Sequence, residues 1–201
     1  IMSISEESKN DSTNVLGVEI MSAEKGDHQA HSKVLFIFIH GAFTENDRYK
    51  PFLQSLQQAC LKKGIEADIG YGTYTNHIPN LARTSEILSE LNKSSNYDAK
   101  FVFGHSMGAL VAITAAYPSI YDGLIQIGCN FQSWFPGLEP ETVSLADYPK
   151  PVLTVLGEVD GFLKYFSVHE DMQDLDCEKK KRGCDNLDLE KPIIILKDVN
   201  H

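Results

Sequence analysis

The sequence predicts a single α/β domain with a mostly parallel central sheet and helices on both of its faces. Continuous apolar runs such as residues 34–39 recur along the chain, and such runs are typical of strands that are covered on both faces. Segments with apolar residues at helical spacing separate the runs, so that strand and helix alternate. A length of 201 residues, 42% of them apolar, fits one domain and is too short for two of full size.

The predicted elements begin after a polar arm. Residues 1–14 are rich in Ser, Asn, Asp and Glu and are expected to be disordered, which leaves residues 15–201 as the folded domain. An edge strand is predicted at residues 15–21 and a weaker strand at residues 65–69. The other predicted strands are residues 34–39, 99–103, 124–127, 152–156 and 193–196. Helices are predicted around residues 52–60, 81–91 and 107–116.

The segment of residues 174–191 is rich in charges of both signs and is expected to be a surface insertion. Cys177 and Cys184 flank its central part, and a disulfide between them depends on the redox compartment and stays open. No second Cys or His pair stands nearby at ligand spacing, so no metal site is predicted.

Charge and composition exclude some kinds of partner. The formal net charge is −10 and the isoelectric point is near 5.1, which disfavours binding to nucleic acid or to anionic membrane surfaces. No run reaches the roughly 18 apolar residues that a membrane-spanning helix needs. Neither the compartment nor the oligomeric state follows from the sequence.

The strongest local signal is the pentapeptide GHSMG at residues 104–108. It stands between a predicted strand and a predicted helix, the context in which a tight turn exposes a nucleophilic serine, here Ser106. The two glycines let the turn close, and the amide of Met107 is in place to donate to an oxyanion. His105 is expected to pack or to form hydrogen bonds rather than to act as a base. The alternative is an ordinary strand-to-helix turn that happens to contain a serine.

A second oxyanion donor is expected in the loop HGAF, at residues 40–43, which follows the first core strand. Gly41 permits a close approach of the backbone. The amide of Ala42 or that of Phe43 is the candidate donor, with a slight preference for Ala42. A plain glycine turn that closes the strand is the alternative.

The catalytic acid and base are expected in loops after later strands, in the order serine, acid, histidine. Asp160 lies in the turn GEVDG after the strand at residues 152–156, where its carboxylate can accept a hydrogen bond from an imidazole. Glu158 is its local rival, and Asp174 and Asp198 are more distant ones. His201 follows the last predicted strand and is the candidate base. His169, inside a predicted helix after the acid, is the second choice.

A base on the last residue is unexpected, because chain ends are mobile whereas catalysis needs a fixed imidazole. We therefore expect the natural sequence to continue past residue 201, with a helix that would cover part of one sheet face.

Taken together, the motifs HGA, GHSMG, GEVDG and VNH resemble those of the α/β-hydrolase superfamily over about residues 34–201. GEVDG and VNH look most like small hydrolases related to dienelactone hydrolase and to chlorophyllase-like proteins. The resemblance implies the α/β-hydrolase fold with little or no cap domain. It also implies a catalytic triad and amide donors at Ser106, Asp160, His201, Met107, Ala42 and Phe43.

An aromatic stretch supplies candidates for substrate binding. Phe131, Trp134 and Phe135 lie close together where the resembled fold often inserts a cap, and they suit an apolar wall for an acyl or alcohol group. Core packing is the equal alternative. Further aromatic residues in predicted loops are Tyr71, Tyr74 and Phe162.

The sequence thus predicts a serine hydrolase that cleaves a moderately apolar, uncharged carboxylic ester of small size through an acyl-enzyme, with no metal or organic cofactor. The same triad would also serve a thioesterase, an amidase, an acyltransferase or a perhydrolase. The alternative from another class is a binding or signalling protein that keeps the scaffold without catalysis.

Overall fold

The computed structural model describes residues 17–23, 30–116, 120–130, 144–158, 165–182 and 190–199. Seven strands from these ranges form one sheet. They are β1 (Val18–Met21), β2 (Ser32–Ile39), β3 (Ile65–Gly72), β4 (Ala99–His105), β5 (Gly123–Ile127), β6 (Val152–Gly157) and β7 (Ile193–Leu196). Every strand that the apolar runs predicted is present, the weak candidate β3 included.

The order of the strands in the sheet is β1-β3-β2-β4-β5-β6-β7. The edge strand β1 pairs with β3 in antiparallel fashion, and all the other neighbours are parallel. In the register of β2 with β4, Ile39 lies opposite Gly104. The loop after β2 and the turn after β4 therefore leave the sheet side by side at the carboxyl ends of the strands, where ligands bind in such folds.

Helices cover the sheet on both sides. They are α1 (Lys50–Leu61), α2 (Leu81–Asn92), α3 (Met107–Ala115) and α4 (Tyr165–Arg182). α2 begins at an Asn80 side chain that accepts a hydrogen bond of 3.0 Å from the amide of Arg83, which satisfies one of the free donors at the start of the helix. The predicted fold class, a mostly parallel sheet with helices on both faces, is confirmed.

Two apolar cores lie on opposite faces of the sheet because alternate strand residues point to opposite sides. On one face, Leu35 and Ile37 of β2 pack with Ile87 and Leu91 of α2. On the other face, Phe36 and Phe38 of β2 belong to the same cluster as Leu53 of α1. The strand β2 is buried on both sides, as its continuous apolar run predicted.

The expected surface insertion at residues 174–191 is wrong in part, because α4 runs through it as far as Arg182. Leu175 on this helix is buried and belongs to the core that contains α2. Lys191, beyond the helix, is also buried, and its Nζ donates to the carbonyl oxygens of Tyr148 and Lys150. The predicted helix around His169 therefore extends into the charged segment, where it has one buried face.

Other predictions fall on parts of the chain outside the described residues. These are the polar arm at residues 1–14 and the aromatic stretch with Phe131, Trp134 and Phe135. Cys177 is an exposed free thiol on α4, and Cys184 lies outside the described ranges. None of the helices that the structure describes is both long and apolar enough to span a membrane.

Candidate active site

Ser106 stands at the junction between β4 and α3, in an unusual backbone conformation. Its φ is 52° and its ψ is −125°, a region that costs a non-glycine residue about 1–3 kcal/mol and that clusters at functional sites. Its amide donates to the carbonyl of Ile127 at 2.8 Å, and its own carbonyl accepts from the amide of Ala109 at 2.9 Å. The neighbouring strand and the first turn of the helix thus hold the strained residue in place.

Gly108, two residues after Ser106, packs so closely against the backbone of another element that only glycine fits there. A Cβ on Gly108 would lie 2.2 Å from the carbonyl oxygen of Ile39 and 2.3 Å from that of His40. Both distances are far shorter than any van der Waals contact. The start of α3 therefore rests directly on the end of β2, which brings Ser106 next to the loop that follows β2.

Gly41, in the loop after β2, lies close to Ser106. A Cβ built on Gly41 would be 3.5 Å from the Cβ of Ser106, 2.9 Å from Nδ1 of His105 and 3.0 Å from the hydroxyl oxygen of Tyr49. Only a residue without a side chain lets the backbone come so near. The structure thus brings together the two segments that the sequence predicted to form an oxyanion site.

The two candidate amides in this loop differ in their hydrogen bonds. The amide of Phe43 donates to the carbonyl of His77 at 2.7 Å. Within the described residues, the amides of Ala42 and Met107 donate to no protein acceptor. Ala42 and Met107 therefore have N–H groups available for a ligand, whereas that of Phe43 is already used.

Phe43 itself is strained and exposed. Its φ is 59°, and its side chain is 78% exposed. An aromatic ring in water on a strained backbone, one residue from a free amide, is a feature that packing does not explain.

The buried side chain of His40 holds the loop after β2 in place through a hydrogen bond to Gly41. Its side chain is only 1% exposed, its ring packs edge-on against Tyr74 at 5.0 Å between centroids, and its Nδ1 donates to the carbonyl of Gly41 at 2.7 Å. Burial lowers the pKa of His40 below its ordinary value of 6.5, because desolvation disfavours the charged form of the ring.

His105, adjacent to Ser106, is hydrogen-bonded to Tyr49, a residue that the sequence motifs did not single out. Its Nδ1 is 2.9 Å from the hydroxyl of Tyr49, and the two rings are 5.6 Å apart. Tyr49 ends the 3-10 turn Asn46–Tyr49 that leads into α1. No local pattern marks such a residue, because its role depends on contacts with segments distant in sequence.

The predicted acid Asp160 and base His201 lie outside the described residues, but the loops that carry them are described in part. Glu158, the rival acid, accepts a hydrogen bond of 3.1 Å from the amide of Asp198, and its own amide donates to the carbonyl of Leu196 at 2.9 Å. Glu158 therefore ties the loop after β6 to the loop after β7.

The second-choice base, His169, is exposed on α4. Its Nε2 is hydrogen-bonded at 2.9 Å to the side-chain amide of Gln173, one turn along the same helix. This contact is local to the helix surface.

The predicted aromatic wall is outside the described residues, since Phe131, Trp134 and Phe135 all fall in the range 131–143. Tyr71 and Tyr74, which the sequence placed in loops, are both only 6% exposed and belong to the two cores. Tyr71 lies in β3. The expectation of a loop was wrong for Tyr71, because β3 extends further than its apolar run, whereas Tyr74 does lie between β3 and the 3-10 turn Thr75–His77. No cluster of His, Cys, Asp and Glu suited to a metal ion occurs in the described part of the chain.

No protein-family model and no curated protein match the sequence, but solved structures match it over most of its length. An α/β serine hydrolase homologue from Coxiella burnetii is 14% identical, with 98% of this chain and 91% of that chain covered and a TM-score of 0.59. An α/β serine hydrolase without a lid from Xanthomonas campestris is 18% identical, with 92% and 79% covered and a TM-score of 0.55.

A Butyrivibrio proteoclasticus protein solved with ferulic acid bound is 15% identical, with 92% of this chain and 87% of that chain covered and a TM-score of 0.59. At identities this low the likenesses establish the fold. The chain has the α/β-hydrolase fold, as its motifs predicted.

Proposed function

We propose that this chain is a serine hydrolase that cleaves a carboxylic ester through an acyl-enzyme, with Ser106 as the nucleophile. The observation that carries the proposal is the backbone of Ser106, which is strained at the end of β4 and lies against the loop at Gly41. Strain of this kind serves to expose a reactive hydroxyl at a strand-to-helix turn. A serine in an ordinary turn would have no need of it.

In the proposed mechanism, the hydroxyl of Ser106 attacks the ester carbonyl while His201 takes its proton. Asp160 orients the imidazole and stabilises its charged form. His201 then returns the proton to the leaving alcohol, and an acyl-enzyme remains. Water attacks this intermediate with the same histidine as base, which releases the acid and regenerates the serine.

The negative charge on the tetrahedral intermediate requires donors that are already in place. We assign this role to the amides of Met107 and Ala42, which are free within the described residues. Phe43 is the weaker candidate because its amide donates to His77. The exposed ring of Phe43 is available instead for an apolar part of the substrate, together with Phe131, Trp134 and Phe135 of the predicted wall.

The neighbours described above support the proposal without fixing the substrate. Two of them are α/β serine hydrolases by description, and a third binds ferulic acid. A monoacylglycerol lipase from Paleococcus ferrophilus also shares the fold, at 14% identity and a TM-score of 0.58. A fold alone does not fix a reaction, so the reaction type needs a direct test.

The test is labelling by a fluorophosphonate, which reacts only with an activated serine, followed by peptide mapping. We expect the label on Ser106 in the wild-type chain, no label in Ser106→Ala, and a loss of about a thousandfold or more in turnover of an ester panel for His201→Ala. His169→Ala is the matched control and is expected to keep its activity. Folding of each variant is checked by circular dichroism.

The acid is assigned by a second pair of variants. Asp160→Asn is expected to lose most of the activity, whereas Glu158→Gln keeps it because the amide oxygen still accepts the hydrogen bond from Asp198. A folded wild-type chain that takes no label would contradict the proposal and favour a binding scaffold. Label on another serine would contradict the assignment of Ser106.

A further inference from the structure

Tyr49 connects the two halves of the proposed oxyanion site. Its hydroxyl oxygen lies 3.1 Å from the amide nitrogen of Gly41 and 2.9 Å from Nδ1 of His105. Gly41 belongs to the loop after β2, and His105 precedes the nucleophile at the end of β4. One hydroxyl group therefore bridges the loop to the nucleophile turn.

The directions of these hydrogen bonds follow from the available hydrogens. The amide of Gly41 can only donate, so the hydroxyl oxygen of Tyr49 accepts from it. The single hydroxyl hydrogen is then left for Nδ1 of His105, which accepts it when the ring is neutral and carries its own hydrogen on Nε2. The bonds form a chain from Gly41 through Tyr49 to His105, in which the amide of Gly41 and the hydroxyl of Tyr49 each have an acceptor.

Gly41 is held from both sides. Its amide is bound by Tyr49 at 3.1 Å, and its carbonyl oxygen is bound by the side chain of His40 at 2.7 Å. The carbonyl of Gly41 and the amide of Ala42 share one rigid peptide plane and point in opposite directions. Fixing the position of Gly41 therefore fixes the direction of the Ala42 N–H group.

The tyrosine is itself rigidly placed. Its ring packs edge-on against Phe38 of β2, with centroids 4.8 Å apart, and it stands directly before the first residue of α1. The hydroxyl thus belongs to a side chain that is anchored by aromatic packing before it forms either hydrogen bond.

We propose that Tyr49 is a positioning residue for the oxyanion hole, in that its hydroxyl holds the Gly41–Ala42 peptide so that the amide of Ala42 faces the developing oxyanion at Ser106. This inference rests on the proposed function. It concerns the transition state more than the bound substrate, because the oxyanion exists only after attack.

The test is Tyr49→Phe, which removes the hydroxyl and keeps the ring on Phe38. With p-nitrophenyl acetate as substrate we expect kcat to fall about tenfold to hundredfold, the range in which small misplacements of catalytic groups act, while KM stays within about twofold. A trifluoromethyl ketone, which forms a tetrahedral adduct with an active serine, is expected to bind more weakly by the same factor as kcat falls.

Tyr97→Phe is the matched control. The hydroxyl of Tyr97 also makes one side-chain hydrogen bond, to Asp68 at 2.9 Å, but it lies before β4, at the opposite end of the sheet from the site. We expect this variant to lose stability and to keep its kcat. Equal losses of kcat in the two variants would overturn the proposal, since a general loss of stability would then explain both.

A second pair keeps the proposal testable if Tyr49→Phe does not fold. His105→Asn keeps an acceptor near the position of Nδ1 and is expected to retain more activity than His105→Leu, which has none. An unchanged kcat in a folded Tyr49→Phe, or equal activity of the two His105 variants, overturns the proposal alone. A wild-type chain that takes no fluorophosphonate label overturns the proposed function as well, so the two failures are distinguishable.

Discussion

At Ser106 the backbone has a conformation that is strained for a residue with a side chain. The residue holds a positive φ of 52°, which glycine adopts freely and other residues adopt at a cost. The hydrogen bonds to Ile127 and Ala109 keep it there. A cost of this kind fits the proposed role of Ser106, because backbone strain is common at active sites.

Ser106→Gly and Ser106→Ala form a pair that measures this strain. Both variants lose the hydroxyl, but only the glycine variant relaxes the backbone. We expect Ser106→Gly to have a free energy of unfolding about 1 kcal/mol higher than Ser106→Ala, measured by denaturant titration. An alanine variant as stable as the glycine variant would show that the conformation costs little.

The loop residues show how chemistry at this scale depends on neighbours. The carbonyl of His77 accepts a hydrogen bond from the amide of Phe43, and the hydroxyl of Tyr49 accepts one from the amide of Gly41. Ala42, between them, keeps its amide free within the described residues. The pattern of used and unused donors selects one amide out of three consecutive ones.

At the scale of elements, the contact of α3 with the end of β2 determines the position of Ser106. Gly108 in the first turn of α3 touches the carbonyl oxygens of Ile39 and His40. The two backbones are packed with no room for a side chain between them. The same contact sets the distance between Ser106 and the loop at Gly41.

Gly108→Ala is expected to lower the free energy of unfolding by about 3 kcal/mol or more, because its Cβ would overlap two backbone carbonyls. In a solvent-exposed helix the same change would stabilise by about 1 kcal/mol, so the sign of the effect is informative. Thermal or chemical denaturation measures it.

Gly123→Ala is the control for Gly108→Ala. A Cβ on Gly123 would lie 3.1 Å from the carbonyl oxygen of Pro151 and 3.2 Å from the ring of Phe101, which requires a shift of only a few tenths of an ångström. We expect a smaller loss than for Gly108→Ala. Equal losses in the two variants would argue against a special contact between α3 and β2.

The helix α4 shows why the extent of one element was misjudged from the sequence, which indicated a helix around His169 but a surface insertion from residue 174. Its buried residues Val168, Asp171 and Leu175 recur at spacings of three and four, which is the repeat of one helix face. Only two of the three are apolar, and charged residues fill much of the remainder. The periodicity was present but was carried by too few apolar residues to stand out.

At the scale of the whole molecule, burial in or beside the two cores changes the pKa values of tyrosines. Burial raises the pKa of four of them from an ordinary 10.0 to about 12. They are Tyr71, Tyr74, Tyr97 and Tyr121. Because the folded state holds these phenols in their neutral form, the unfolded chain releases protons at lower pH than the folded chain does.

The contribution of these four phenols to the free energy of unfolding is therefore expected to be fully present below about pH 10. It is expected to be lost as the pH rises from about 10 towards about 12. Denaturant titrations at a series of alkaline pH values measure the slope, and phenolate absorbance follows the ionisation. Tyr121→Phe removes one of the buried phenols and is expected to reduce the slope. A free energy of unfolding that does not change over this range would contradict the assignment.

The sequence by itself determined the strands and the helices α1 to α3, indicated a helix around His169, and placed Ser106 between a strand and a helix. Each of these depends on a local pattern: apolar runs for buried strands, helical spacing for α1 to α3, and two glycines around a serine for the nucleophile turn. Local patterns are visible in sequence because the residues that form them are neighbours in the chain.

Only the tertiary structure decided which donors of the site are free and what holds them. The use of the Phe43 amide by His77 and the bridge through Tyr49 join segments up to 56 residues apart, and the burial of Tyr71 and Tyr74 depends on how β3 and its neighbours pack. Contacts of this kind have no signature in a single sequence, because they arise only when the sheet places the ends of its strands side by side.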